Sequence, residues 1–418
     1  MVINAIHNTK IKRDLICFAG CDWWYHNRGL FCPQVMKRLA KDYRVLFINS
    51  LGIRVPSLKK DKHALKKIFR KLFSVARFLR KTDDGMYVFS PLSMPFLKSK
   101  LCRRFNEFFL LCQIKFIIAL IRLKKPIFYV GCITAFEIVK KMSRQFLIYE
   151  RTDLFEEMPG TDKNYISSLD MDLSESADLV LYVNRALWEE GVKKNRNSML
   201  IGHGVDFEIF ANAEESNFIP EDIKDIPKPI VGFFGEISTK TSDLMLLEHI
   251  ARQLSEMSLV LVGPISADVS VLRTYKNIYF LGQKKYEEIP HYGKVFDVAI
   301  MPWNKNKWIE FCNPVKVKEY LALGKPVVST YYPEIEPYSD IIYVAHDYNQ
   351  FVSHIRKAVE ENNIGLRLAR REKVKFETWD SKVEQIKAFI EKGLDSVGNH
   401  AAPKLKDAYD VTRSNIID

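Results

Sequence analysis

The segment C-N-P-V-K-V-K-E-Y-L-A-L-G-K-P-V-V-S-T, residues 312–330, holds the densest group of side chains able to do chemistry. Asn313 suits a helix cap and Pro314 the first helical position. The run to Leu323 then gives about three turns, stopped by Gly324. A helix N-terminus offers unpaired backbone N–H groups and the positive end of a dipole, a seat for phosphate. Lys316 adds a full positive charge in that first turn, where cations are ordinarily disfavoured, so an anionic ligand would account for it. Glu319, three residues on and along the same face, can accept hydrogen bonds from ribose hydroxyls. A surface helix with a solvated lysine and glutamate has the same spacing, and both readings stay open.

Other candidates lie in the first half. Asp153 follows the apolar run F-L-I-Y-E, residues 146–150, and so falls at the carboxyl end of a strand. A carboxylate there can take the proton of an attacking hydroxyl, a contribution of roughly 10²–10⁴-fold; Thr152 and Asp153 suit a helix cap equally well. In D-W-W-Y-H-N-R-G, residues 22–29, Arg28 can grip a diphosphate, stack on an aromatic ring or stand solvated. Asp22, Trp23, Trp24 and His26 of the same loop can shape a sugar-binding pocket, while one or both tryptophans suit the core. His203 can polarise a bound donor or simply bond to the backbone of its loop. Asp170 and Asp172 form a D-x-D pair, but S-S-L-D-M-D-L-S-E-S-A reads as helix rather than strand-end loop. No metal is assigned, and no resident cofactor is expected.

These residues need elements to position them. Near-continuous apolar runs at 14–20, 44–50, 86–90, 127–131, 146–150, 178–183 and 198–202 alternate with helical stretches such as 32–42, 133–143 and 185–194. That is the texture of parallel strands buried on both faces, an α/β doubly wound domain. The rhythm restarts at 229–235, 258–263, 277–282, 297–302, 326–330 and 341–345, with Ser242 as the expected cap of a helix over 242–256. The reading is two Rossmann-like domains, residues 1–208 and 229–378. An acidic, proline-bearing linker over 209–228 joins them. A terminal helix over 379–394 is expected to cross back to the first domain, and a polar tail follows from 395. Ligands of such sheets sit beyond the carboxyl ends of the strands, so two facing domains would form a cleft with donor and acceptor on opposite sides.

The block N-P-x-K-x-x-E-Y-x-A-x-G-K-P-V-V resembles the donor-site helix of GT-B glycosyltransferases, particularly the family 4 enzymes that build capsule, exopolysaccharide and teichuronic-type polymers. V-G-F-F-G-E-I-S at 231–238 resembles the glycine turn of the C-terminal domain. I-G-H-G-V-D-F-E-I-F at 201–210 resembles the N-G-V-D…F signature, with His203 in place of the asparagine. L-I-Y-E-R-T-D-L-F at 147–155 is similar to the xanthan-type glucuronosyltransferases. The resemblance implies a nucleotide-sugar donor, UDP-linked by preference, held by Gly235, Lys240, Asn313, Lys316, Glu319 and Arg28. It implies Asp153 as general base, further donor contacts from His203 and Glu310, and a lipid-linked or glycan acceptor. Three positions depart from the family: Phe311 stands where a glutamate is usual, with Glu310 one place off; Glu236 replaces an arginine; and Lys240 only approximates the usual lysine. Retention or inversion at the anomeric carbon stays open.

Composition narrows the remaining classes. At 47% hydrophobic and 27% charged, the 418 residues fit neither disorder nor a disulfide mini-protein. Seven cysteines without a C-x-x-C pair suit a reducing compartment. No secretory leader opens the sequence, and the greasy run 108–123 is broken by Gln113 and Lys115, short of a spanning helix. Residues 1–200 hold 36 Lys and Arg against 19 Asp and Glu, whereas the other 218 hold 27 against 32. Within the basic half, residues 59–81 carry ten Lys and Arg, with Leu65, Ile68, Phe69, Leu72, Ala76 and Leu79 forming one apolar stripe. Such a helix suits the anionic surface of a membrane, unless the stripe packs on its own domain. The expected setting is the cytoplasmic face of the cell membrane. A nucleic-acid-binding protein would share the basic half but lacks a recognition motif, so no nucleic-acid partner is expected. An inactive nucleotide-sugar-binding scaffold and an epimerase of the same architecture also fit two such domains.

Overall fold

Strands that are apolar on both faces need helices above and below, and this chain builds two sheets on that principle. A computed structural model describes residues 12–25, 29–51, 64–93, 100–158, 161–361 and 363–398. The first sheet contains β1 (Arg13–Phe18), β2 (Tyr43–Ile48), β3 (Leu79–Lys81), β4 (Tyr87–Phe89), β5 (Ile127–Val130), β6 (Phe146–Arg151), β7 (Leu179–Tyr182) and β8 (Ser198–Leu200). The second contains β9 (Ile230–Phe234), β10 (Ser258–Val262), β11 (Ile278–Gly282), β12 (Val298–Met301), β13 (Val327–Thr330) and β14 (Tyr343–Ala345). The orders are β3-β4-β2-β1-β5-β6-β7-β8 and β11-β10-β9-β12-β13-β14, and every pairing is parallel except β3 with β4. The expected α/β, doubly wound class is the one observed. The three-residue edge strand β3 corrects the helix expected to run on to residue 81, which stops at Ala76 before Phe78 turns at φ +48°.

The helices are α1 (Phe31–Leu39), α2 (Ala64–Ala76), α3 (Lys100–Leu120), α4 (Phe136–Val139), α5 (Lys163–Ser176), α6 (Arg185–Gly191), α7 (Phe207–Ala213), α8 (Leu244–Gln253), α9 (Ile289–Gly293), α10 (Lys307–Glu310), α11 (Val315–Ala322), α12 (Tyr348–Val359), α13 (Ile364–Val374) and α14 (Trp379–Gly398). Contacts divide the chain into one unit running to Tyr182, with 188–200 and 383 onward, and another of 183–187 and 201–382. Among the parallel strands of each sheet the order reverses once, between β1 and β5 and between β9 and β12. Doubly wound folds open a ligand crevice at that point.

Several expectations need correction. Residues 209–228 are not a linker: Phe210, Ala213 and Ile223 are buried in the core of the second unit, so that unit begins near 201. Ser242 does not cap α8; Asp243 does, its carboxylate accepting the Leu246 N–H at 2.9 Å, while the Ser242 hydroxyl donates to the Glu236 carbonyl at 3.3 Å. The stretch 133–143 forms only a 3-10 turn and the single turn of α4. Helix α14 continues past 394 to Gly398; residues 399–418 lie outside the described residues.

Candidate functional site

In the second unit, the crevice at the end of β9 is built by glycine. Gly235 leaves the strand at φ +146°, where L side chains are strained, and a Cβ there would collide with the Lys316 side chain. Gly263 closes the turn from below at φ +152°, its own Cβ position filled by the Gly235 carbonyl. Lys316, in the first turn of α11, therefore lies across Gly235, with its ammonium 5.9 Å from the centre of the Trp303 ring. Helix α11 starts with Pro314 in the cap position and no side-chain cap bond, and ends where Gly324 turns at φ +73°. Asn313 is not the expected cap: Pro314 holds that position, and the Asn313 amide N–H donates to Glu334 at 2.6 Å.

One turn along α11, Glu319 is buried. Burial raises its carboxyl to about 7, against the opposing pull of Lys316 and of the Tyr286 hydroxyl. Lys316 is held below the usual lysine range by the same desolvation, with Glu319, Cys312 and Glu236 pulling the other way. Tyr286 lies beside Glu319 and donates to Asp206 at 3.1 Å. Asp206, Tyr286, Glu319, Lys316 and Gly235 thus form one continuous polar wall, able to receive an anion at the cation and hydroxyls at the carboxylate.

His203 sits on a loop fastened by a lysine that sequence reading passed over. Lys318, buried on the other face of α11, donates to the His203 carbonyl at 2.6 Å and pairs with Glu377. Val205 N–H donates to the Glu377 carbonyl at 2.9 Å, and the His203 ring meets Trp379 edge-on at 6.0 Å. Burial, then Lys318, Lys382 and Lys316, pull the imidazole down to about 3, so it is neutral at physiological pH.

The other expected donor residues fall further out. The Lys240 ammonium lies over the Trp308 ring, 2.9 Å from its centre. Glu310 ends the short α10 on an exposed face. Glu236, where the resemblance expects arginine, accepts the Ser266 hydroxyl at 2.6 Å. Arg28 and His26 lie outside the described residues.

In the first unit, the expected acceptor residues are mostly structural. Trp23 is buried edge-to-face on Phe47 at 5.4 Å, and its backbone N–H donates to Asn49 at 2.8 Å, so it belongs to the core rather than to a pocket wall. Asp22 is also buried: its carboxylate accepts the Ser74 hydroxyl at 2.6 Å and the Trp24 N–H at 3.0 Å, within a network that includes Asn49 and Ser90. Trp24 stays half-buried, with the Arg77 guanidinium 4.7 Å over its ring. Asp153 follows β6 and is half-buried, with the Thr152 hydroxyl 3.3 Å from its carboxylate. It is at neither helix cap: Leu154 holds the cap position of the following turn, without a side-chain cap bond, and Asp162 caps α5. Near it lies an acid that the sequence hid inside a strand. Glu150 is buried beside Tyr129 and Cys32, and burial lifts its carboxyl to about 7, with Asp153 pushing the same way.

Asp170 of the D-x-D pair lies in α5, held by Arg151 at 3.0 Å and by the Tyr149 hydroxyl at 2.7 Å. Among the described residues, no group of three or more His, Cys, Asp or Glu could hold a metal ion. No helix among them is long and apolar enough to cross a membrane.

Residues 228–361, which contain this wall apart from Asp206, match the family model of glycosyl transferases group 1. The chain has the GT-B fold, and this stretch of it is similar to the group 1 glycosyl transferases. Over 240 residues it is 27% identical to the teichuronic acid biosynthesis glycosyltransferase TuaH of Bacillus subtilis strain 168, covering 54% of this chain and 59% of that one. The chain thus spans about three-fifths of that relative's length. The GT-B likeness runs nearly end to end in solved structures. Anabaena HepE in complex with UDP aligns at TM-score 0.59 and 13% identity, over 91% of this chain and 100% of its own. Sucrose-phosphate synthase from Thermosynechococcus elongatus aligns at 0.67 and 14%, over 92% and 100%.

Proposed function

We propose that this GT-B protein is a group 1 glycosyltransferase of polysaccharide biosynthesis, moving a sugar from a nucleotide sugar to a lipid-linked or polysaccharide acceptor. The observation that carries this is the wall of Gly235, Lys316 and Glu319 at the point where the second sheet reverses its order. The diphosphate would lie on the open first turn of α11 against Lys316, and the ribose on Glu319. An acceptor oxygen attacks the anomeric carbon, the bond from that carbon to the phosphate oxygen breaks, and Asp153 takes the acceptor's proton. The diphosphate leaves with the bonding electrons, its charge met by Lys316 and the helix N-terminus. The reaction so drawn uses no resident cofactor, the nucleotide sugar being consumed. UDP is the preferred nucleotide; the HepE complexes with UDP and with UDP-glucose support that choice. The resemblance to capsule and teichuronic-type enzymes favours a hexosyl or glycuronosyl group and work at the cytoplasmic face of the membrane.

Glu236 favours a second reading. A carboxylate where the family places an arginine weakens diphosphate binding, as an inactive nucleotide-sugar-binding scaffold would tolerate. A thermal-shift panel of UDP, GDP, dTDP, CMP and their sugars tests the site. A ligand at a hundredfold excess over Kd adds about 2.7 kcal/mol. One nucleotide should raise the transition, and Lys316→Ala or Glu319→Ala should abolish the rise; a wild-type response in both variants would place the donor elsewhere. Turnover of that nucleotide sugar separates enzyme from scaffold.

A further inference from the structure

Helix α2 is mounted the wrong way round for a soluble domain. It meets its unit through polar groups: Ser74, fully buried, donates to Asp22, and the Lys71 ammonium donates to the Ser50 carbonyl at 3.0 Å. Its apolar residues point outward. Ile68, Phe69, Leu72 and Phe73 share one helical face, with Phe69 58% and Phe73 66% exposed. The expected stripe is therefore exposed over Ile68, Phe69 and Leu72, with Phe73 added, and does not pack on the domain; Leu79, expected to continue it, lies in β3, and residues 59–63 and the Leu65 side chain lie outside what is described.

Helix α3 repeats the arrangement. One stripe, through Leu110, Ile114 and Ile117, is buried. On the opposite side, Phe105, Phe108, Cys112, Phe116 and Leu120 form a second stripe that is open to solvent, Phe108 at 65% and Phe116 at 59%. Exposed apolar stripes on two helices of one unit mark an interaction surface.

Charge decides the occupant. Helix α2 has four lysines and arginines and no acid, and α3 has four against Glu107 alone. Glu107 is already paired with Lys141. A second copy of this chain would set like charges against like, whereas anionic headgroups would neutralise them. We propose that the outward faces of α2 and α3 seat in the headgroup–acyl boundary of an anionic lipid bilayer, phenyl rings inward and basic side chains on the lipid phosphates. The inference deepens the membrane-face reading above and rests on it for its purpose, which is to hold the enzyme where a lipid-linked acceptor is confined.

The test is flotation of the full chain with phosphatidylglycerol–phosphatidylcholine vesicles and with pure phosphatidylcholine. The chain should float with the anionic vesicles only, and less at high salt. Phe69→Ser with Phe73→Ser, or Phe108→Ser with Phe116→Ser, should each weaken the partition roughly tenfold or more. A fluorophore on Cys112, in a chain with Cys102→Ser and Cys312→Ser, leaves every phenylalanine in place and should brighten on anionic vesicles. Failure to float, a silent fluorophore, or serine variants that remain folded by circular dichroism and float like wild type would each overturn the proposal. So would a dimer that those variants dissolve in a chain indifferent to vesicles. Vesicle binding without any nucleotide response would uphold this surface and count against the donor reading, and the reverse pattern would do the opposite.

Discussion

Lys316 and Glu319, the pair proposed to hold the donor, each bear a cost of burial. Desolvation pushes the carboxyl up and the ammonium down, and each offsets part of the other's penalty. A diphosphate would restore full charge on the lysine without asking water back in. Lys318 does different work two residues away. It is buried, while its partner Glu377 remains about one-third exposed, so replacing it leaves an orphaned carbonyl and a partly solvated carboxylate. Lys318→Met should cost about 1–3 kcal/mol in denaturant unfolding; an unchanged midpoint would show that the pair does not hold the His203 loop. Glu150 gives a pH signature. Its carboxyl titrates near 7 in the folded chain and near 4.5 when unfolded, so the folded state binds the extra proton and stability falls as pH rises from 4.5 through 7. Glu319 adds the same slope. Glu150→Gln should flatten part of that fall and gain on the order of 2–3 kcal/mol at pH 8; parallel curves for both proteins from pH 5 to 8 would contradict it. Lys316 and Glu319 were legible from spacing because a helix brings such residues to one face. Lys318 was not, since its partner lies 59 residues downstream, and Glu150 was hidden by reading as one more residue of a strand.

At the level of elements, the parallel strands declared themselves because burial on both faces leaves no polar alternation to confuse them. The failures came where polar sequence turned out to be fixed by tertiary contacts. Residues 209–228 look like a linker by charge and proline content, yet Phe210 and Ile223 anchor them in a core. Asp22 and Trp23 look like a polar–aromatic loop, but Ser74 of α2 and Phe47 of β2 claim them. The same contact with Ser74 holds α2 by its polar edge and leaves its apolar face outside. Asn313 illustrates the limit of cap rules: the helix starts one residue later, Pro314 takes the cap position, and the first turn of α11 has no side-chain cap. The proposed donor site draws on this, because uncapped first-turn N–H groups are the ones an anion can satisfy.

Across the whole molecule, the two doubly wound units differ in charge and in the candidate residues they carry. The first carries the basic excess, the outward apolar helices and Asp153; the second carries the glycine turn and α11. The central claim is that a nucleotide diphosphate binds the second unit at Gly235, Lys316 and Glu319. Hydrogen–deuterium exchange with and without UDP reads that claim amide by amide. The account predicts slowed exchange at 235–238 and at the first-turn amides 315–317. The same segments should show no slowing in Lys316→Ala. Unchanged exchange in both segments at saturating UDP, or protection confined to the first unit, would contradict it.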